Sequence, residues 1–343
     1  MNHIIEMQKR ILPELVNVAE KRYLILYTIY YNQPIGRRLL SSVTGMTERV
    51  IRDEVDILKG QGLISISGEG MRVTKDGVDV LESLRDFIHD LKGLPELEKQ
   101  IRDRLCIKNI TIVPGDVGKN HFLLNEMGKK AANILTGMLH DDMIIAVAGG
   151  SSVAALAEVL SVDKTYRNLM VVPARGGLGR EVEFQANTIT ATLSKKLNAN
   201  YRFLHIPDDI SSDALKILIN EQGIRETIDY VKRADVLIYG IGRADVMAKR
   251  RHLSDSIKKL LNDAGAVAET MGYYFNINGQ IVYTAGTISL DIDELLRLPH
   301  KLAISGGASK AEAILASCRV IPPESLIIDE GAARRIIELI NSP

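Results

Sequence analysis

Cysteine is scarce. The chain of 343 residues has two, Cys106 and Cys318, far apart and without metal-ligand spacing. That excludes a disulfide framework and a cysteine zinc site, and a reducing cytoplasm is the simplest setting. Charge of one sign is lacking as well: 43 Lys and Arg balance 43 Asp and Glu. A nucleic-acid surface would therefore have to be a local patch. No apolar run approaches the ~18–20 residues of a membrane span, so no membrane partner is expected. MNHIIEMQKRILPEL carries charges throughout and no small-residue cleavage site, which argues against a secretory signal. Internal repeats and low-complexity segments are missing too. With 46% hydrophobic and 25% charged residues, the composition is that of a globular protein with room for two or three domains.

The chain divides near residue 93, into a DNA-binding domain with a linker helix (1–93) and an α/β domain (94–343). The first part is helical, with one short hairpin. KRYLILYTIYY (21–31) is apolar at helical spacing, and IGRRLLSSV (35–43) predicts a short helix before a turn at Gly45. TERVIRDEVDILKG (47–60) opens on Thr47, a good N-cap, and closes on Gly60. GLISI and MRVT flank Ser67-Gly68-Glu69-Gly70, which reads as a hairpin. Helix, turn, helix, hairpin is the order of a winged helix-turn-helix.

In the helix over 47–60, Ile51, Val55 and Leu58 make one apolar stripe. Thr47, Arg49, Arg52 and Lys59 lie off that stripe, and the early residues of the second helix of such a motif meet base edges. Arg37 and Arg38 precede the turn and could hold phosphates. The alternative is a solvated charged face, since Asp53, Glu54 and Asp56 share the helix. Residues 78–91 place Val78, Leu81, Leu84, Ile88 and Leu91 at spacings of three and four. That stripe either packs on its own domain or pairs with a second copy.

From residue 107 the period changes. Short β-branched or aliphatic runs at 107–115, 143–150, 168–177, 201–207, 234–242, 300–307 and 325–329 alternate with helical stretches at 122–139, 151–160, 181–197, 211–231, 254–264 and 308–318. This predicts a Rossmann-like, doubly wound, mostly parallel sheet covered on both faces. Ligands of such sheets bind beyond the carboxyl ends of the strands, where four of these runs end in glycine pairs or Gly-x-Gly.

Gly149-Gly150-Ser151-Ser152 lets the backbone approach an anion, adds two hydroxyls and leads into a helix N-terminus. The Gly-Lys-Ser/Thr of a P-loop and the three-glycine dinucleotide fingerprint are both missing, and no cofactor is expected. Gly306-Gly307-Ala308-Ser309-Lys310 repeats the device and adds a cation in the first helical turn, which opposes the helix dipole unless an anion is near. Arg175 to Arg180 sets two arginines among three glycines, and arginine's fork suits phosphate. Each loop alone could be an ordinary strand-to-helix turn. Together they predict a phosphate site.

VPGD, AVAGGSS, VPARGGLG, YGIGRAD and ISGGASKAEAI, following a helix-turn-helix, resemble the SorC family of sugar-responsive transcription regulators over nearly the whole chain. The resemblance implies an effector domain related in fold to ribose-5-phosphate isomerase and glucosamine-6-phosphate deaminase. It implies a repressor of glycolytic genes, with fructose-1,6-bisphosphate as inducer and a dimer or tetramer on operator DNA. It also implies site residues: Gly149, Gly150, Ser151 and Ser152 with Gly307, Ala308, Ser309 and Lys310 at one phosphate. Arg175 with Gly177, Leu178 and Gly179 would hold the other, and Gln185, Arg250 and Glu269 would surround the sugar.

The competing reading is a sugar-phosphate isomerase or deaminase using the same pocket. Deaminases of that fold carry Asp-Gly-His after their Gly-x-Gly. Here Asp245 follows Gly242 with no histidine behind it, and such chemistry needs a base within reach. His205 and His252 lie outside that motif, so no catalytic residue is expected.

Overall fold

A computed structural model describes residues 11–177, 181–206, 217–286 and 290–341. The chain forms two compact units. One runs to Leu97 and includes Val117–Phe122, and the other takes Glu98–Asp116 and the chain from Leu123 on.

In the first unit, α1 (Pro13–Asn32), α2 (Arg37–Thr44) and α3 (Glu48–Gly60) precede the hairpin of β1 (Ile64–Ser67) and β2 (Gly70–Val73). Gly45, at φ 70°, ends α2 in the left-handed conformation that a side chain resists. The Thr47 hydroxyl then caps α3 by accepting from the Val50 amide at 3.4 Å. Ile51, Val55 and Leu58 are buried with Ile25, Ile29, Leu40, Ile64 and Met71, so the expected stripe is the core-facing side. β1 and β2 pair antiparallel from Ile64↔Val73 to Ser67↔Gly70, closing the hairpin where the Gly68-Glu69 turn was expected.

Glu54 departs from the alternative of a solvated face for the charges of α3. It is buried, and its carboxylate accepts from Arg22 Nε at 2.8 Å and pairs with Lys21. Burial alone would raise its pKa, but the hydrogen bonds from Lys21 and Arg22 outweigh it and hold the carboxyl below its usual value. A charge on the inner side of a helix is legible only once the partner helix is placed.

α4 (Lys75–Leu91) carries the second stripe. Ile88 and Leu91 are buried in a cluster with Leu84, Phe87 and α1's Val16, Ala19 and Tyr23. Part of this stripe therefore packs within its own domain.

α5 (Leu94–Leu105) begins in the first unit's sequence and ends in the second's. The second unit contains β3 (Asn109–Val113), α6 (Leu123–Met138), β4 (Ile144–Val147), α7 (Ser151–Val159), β5 (Met170–Pro173), α8 (Ala186–Leu197), β6 (Asn200–Tyr201), α9 (Gln222–Lys232), β7 (Val236–Gly240), β8 (Gly242–Arg243), α10 (Ala244–Arg250) and α11 (Asp255–Asp263). It continues with β9 (Ala266–Thr270), β10 (Tyr273–Asn276), β11 (Ile281–Thr284), α12 (Ile292–Arg297), β12 (His300–Ile304), α13 (Ala311–Val320), β13 (Ser325–Asp329) and α14 (Glu330–Asn341).

The seven strand-like runs become one seven-stranded sheet in the order β3-β13-β12-β7-β4-β5-β6. Every pairing in it is parallel. Its central strands are buried almost throughout, as a sheet covered on both faces requires. From β4 the chain moves outward through β5 to β6, and from β7 it moves the other way through β12 to β13. The direction reverses between β4 and β7, which is where such sheets open a crevice.

A second sheet was not expected from the sequence. β8 to β11 form a four-stranded antiparallel sheet in the order β11-β10-β9-β8. Two tight turns make it, one at Met271-Gly272 and one closed by Gly279 N–H donating to the Asn276 carbonyl at 2.9 Å. Two helices also start later than expected: α8 begins at Ala186 rather than 181, and α13 at Ala311, after a 3-10 turn over Ala308–Lys310.

Candidate functional site

β12, β7, β4 and β5 stand side by side, and the loops at their carboxyl ends surround one cavity of 390 Å³. Gly149, Gly150, Ser151 and Ser152 line it after β4, and Arg175 and Gly176 after β5. Gly240 and Gly242 line it after β7, and Lys310 beyond β12.

The β4 loop is shaped by backbone geometry. Gly150 sits at φ 129° and donates its amide to the Phe184 carbonyl at 2.8 Å. A Cβ on Gly149 would lie 2.7 Å from that same carbonyl oxygen, so no side chain fits. Gly150 is the N-cap of α7 and offers no side chain to it. The first-turn amides of α7, from Ser151 on, therefore face a cavity with no capping group of their own.

The β12 loop reaches the same cavity by one residue. Lys310 lines it, while Gly307, Ala308 and Ser309 are not among its lining. Gly307, at φ 102°, gives its amide to Asp329 Oδ2 at 2.7 Å, and Ala308 gives its amide to Asp116 Oδ1 at 3.4 Å. Ser309 is exposed. The loop's backbone donors are thus committed to carboxylates of the protein itself, and the lysine is what it presents. Lys310 keeps part of its surface, but desolvation holds its ammonium below the usual lysine range. Arg250 adds to that effect, and Asp329 opposes it.

Arg175 and Glu269 meet differently from the expected roles. Both are buried, and Arg175 Nη1 donates to Glu269 Oε1 at 3.3 Å. The same oxygen accepts from Arg251 Nη2 at 2.9 Å and the Gly272 amide at 2.8 Å. Glu269 is therefore a buried junction joining the loop after β5, the end of α10 and the turn after β9. Gly177 does not line the cavity, and its amide donates to the Ile206 carbonyl at 3.0 Å. Leu178 and Gly179 lie outside the described residues.

Gln185 and Arg250 both line the cavity. Arg250 pairs with Glu181 at 3.4 Å, and both are about half exposed. Lining residues that were not expected as site residues include Glu181, Phe184, Lys249, His252 and Met271. Lys249 belongs to the basic run 249–251. The others sit in loops whose course no periodicity reveals. Asp245, by contrast, is not among the lining residues and is held by Arg243 through two hydrogen bonds of 3.0 and 2.8 Å.

A sugar-binding domain family profile matches residues 89–338, and a CggR N-terminal DNA-binding domain profile matches residues 18–88. The chain belongs to the SorC family of transcription regulators. It is similar to the central glycolytic genes regulator of Bacillus subtilis, 40% identical over 98% of this chain and 99% of that protein. Its counterpart in Priestia megaterium is 38% identical over 99% and 100%. A solved SorC family regulator from Enterococcus faecalis aligns with a TM-score of 0.65 at 36% identity, over 71% of this chain and 99% of that one. The full-length sorbitol operon regulator of Klebsiella pneumoniae shares the fold, with a TM-score of 0.65 at 20% identity over 91% and 96%. The regulator thus joins a DNA-binding domain to a sugar-binding domain, and its relatives are regulators rather than enzymes. No helix among its described residues is long and apolar enough to cross a membrane.

Proposed function

We propose that the cavity takes a phosphorylated sugar, specifically fructose-1,6-bisphosphate, and that its occupancy lowers the affinity of the N-terminal domain for an operator of glycolytic genes. The observation that carries this reading is that the N-terminus of α7 and the Lys310 ammonium line one cavity. One phosphate would rest on the Ser151 and Ser152 amides and hydroxyls, with Lys310 beside it. Lys310 fits the role because no hydrogen bond or ion pair of its ammonium is found among the described residues, and a bound anion would restore its favoured charge. The second phosphate would meet Arg250 and Lys249. Arg175 could join only by loosening its pair with Glu269. Gln185 would serve the sugar hydroxyls.

The names of the Bacillus and Priestia relatives support glycolytic genes as the target. The setting would be the cytoplasm. A dimer or tetramer would bind, since a repeated operator matches a symmetric protein. Thermal unfolding against a panel of sugar mono- and bisphosphates tests the ligand. A bisphosphate at ~100 times its dissociation constant should add roughly 2.7 kcal/mol of stability. If no sugar phosphate raises the unfolding temperature, the cavity is not an effector site.

On the DNA side, Thr47, Arg49 and Arg52 are exposed on α3, and Arg37 and Arg38 are exposed on α2. Their nearest acidic neighbours hold them loosely: Arg37 is 3.9 Å from Asp56 and Arg38 is 4.0 Å from Glu48. Arg49→Ala and Arg52→Ala are each expected to weaken operator binding, by ~1–3 kcal/mol where the arginine reads a base. Gel shifts at matched salt measure this, and wild-type binding by both variants would remove α3 from the groove.

A further inference from the structure

The cavity has two carboxylates among its described lining residues, Glu269 and Glu181. Glu269 is buried and already answers Arg175 and Arg251. Glu181 is different. It is half exposed, it pairs with Arg250, and that arginine also lines the cavity. Glu181 reaches this position with its backbone at φ 52°, a left-handed conformation that glycine or asparagine would adopt more readily. It directly precedes the short 3-10 turn Val182–Phe184, whose Phe184 carbonyl receives the Gly150 amide. The turn that anchors the phosphate loop thus also carries a carboxylate to the cationic side of the cavity.

We infer that Glu181 stands in for the second phosphate of the ligand and sets the preference between mono- and bisphosphorylated sugars. The inference rests on the sugar-phosphate reading above. In the free protein the Glu181 carboxylate neutralises Arg250. A phosphate arriving at Arg250 must displace it and then sits beside a like charge. A monophosphate held at Ser151, Ser152 and Lys310 leaves the Arg250–Glu181 pair intact. Glu181 therefore penalises the second phosphate only, and it keeps bisphosphate affinity lower than Arg250 and Lys249 alone would make it. The pair is half exposed, so the penalty is screened and modest.

The test is isothermal titration calorimetry of the full chain, wild type and Glu181→Gln, with fructose-1,6-bisphosphate and with fructose-6-phosphate. Glutamine keeps the size and hydrogen-bonding capacity and removes the charge. The bisphosphate is expected to bind the variant about 3–10-fold more tightly, while the monophosphate constant moves less than about 2-fold. A purely structural role for Glu181 would weaken both ligands together. Unchanged or weaker bisphosphate binding in the variant overturns the inference, as does an equal gain for both ligands. If the wild type binds neither sugar phosphate, the effector reading itself fails and takes this inference with it. Binding of both by the wild type with no selective gain in the variant defeats the inference alone.

Discussion

Glu269→Gln is expected to destabilise the sugar-binding domain by about 3–5 kcal/mol, the cost of breaking buried ion pairs from one side. Its Oε1 accepts from Arg175, Arg251 and the Gly272 amide within 3.3 Å. Removing one carboxylate charge takes a shared acceptor from two buried guanidinium groups at once. Arg251→Met should cost less, because Arg175 and Glu269 still balance each other. Urea unfolding of the full chain measures both, followed through the transition of the larger domain. The midpoint should fall with little change in slope, since the exposed surface on unfolding is the same. A loss below about 1 kcal/mol for Glu269→Gln would mean that the junction is not held by charge.

Lys310→Ala is expected to weaken binding of the sugar phosphate by ~1.5–3 kcal/mol, the range for a hydrogen bond to a charged group. The fold should tolerate the change. The GGASK loop is fastened through Gly307 to Asp329 and through Ala308 to Asp116, and neither bond involves the lysine side chain. Removing an ammonium that desolvation already disfavours should leave stability near wild type. The effect should therefore be read in ligand affinity alone. Equal ligand affinity in calorimetry would show that the lysine faces the cavity without serving it.

Much of the architecture was legible because it repeats a simple rule. The central strands of the parallel sheet, β4, β7, β12 and β13, are mostly aliphatic runs buried on both faces, so 143–150, 234–242, 300–307 and 325–329 announce themselves. The β8–β11 sheet was missed for the opposite reason. Its strands mix polar and apolar residues, as in YYFN and IVYT, and its turns carry most of the signal. The winged helix-turn-helix was legible from Gly45, Thr47 and the Gly68-Glu69 turn, each of which has a backbone reason to be where it is. Glu54 was not, because its partners Lys21 and Arg22 lie on another helix and the sequence shows no pairing between them.

The cavity divides in the same way. Ser151, Ser152 and Lys310 could be named because a strand end, a glycine and a helix start are local events. That two glycine loops separated by more than 150 residues would face one cavity follows only from the strand order. For Gly307 and Ala308 the structure shows amides given to Asp329 and Asp116, which no local pattern foretells. Both carboxylates come from other strand ends, Asp116 just after β3 and Asp329 at the close of β13. Glu181 and His252 were invisible as lining residues, since nothing in a loop sequence says which way the chain turns.

The most direct test of the account is a fluorescence-anisotropy titration of operator DNA with the full chain, with and without fructose-1,6-bisphosphate, for wild type and Lys310→Ala. A ligand shifts a conformational equilibrium only by its difference in affinity for the two states. Coupling of ~1–3 kcal/mol therefore predicts that saturating bisphosphate lowers wild-type operator affinity ~5–150-fold without abolishing it. The variant should bind operator like wild type when no ligand is present and need at least about 10-fold more bisphosphate for the same response. An operator affinity indifferent to the bisphosphate, or a Lys310→Ala protein that responds at wild-type concentrations, would contradict the account.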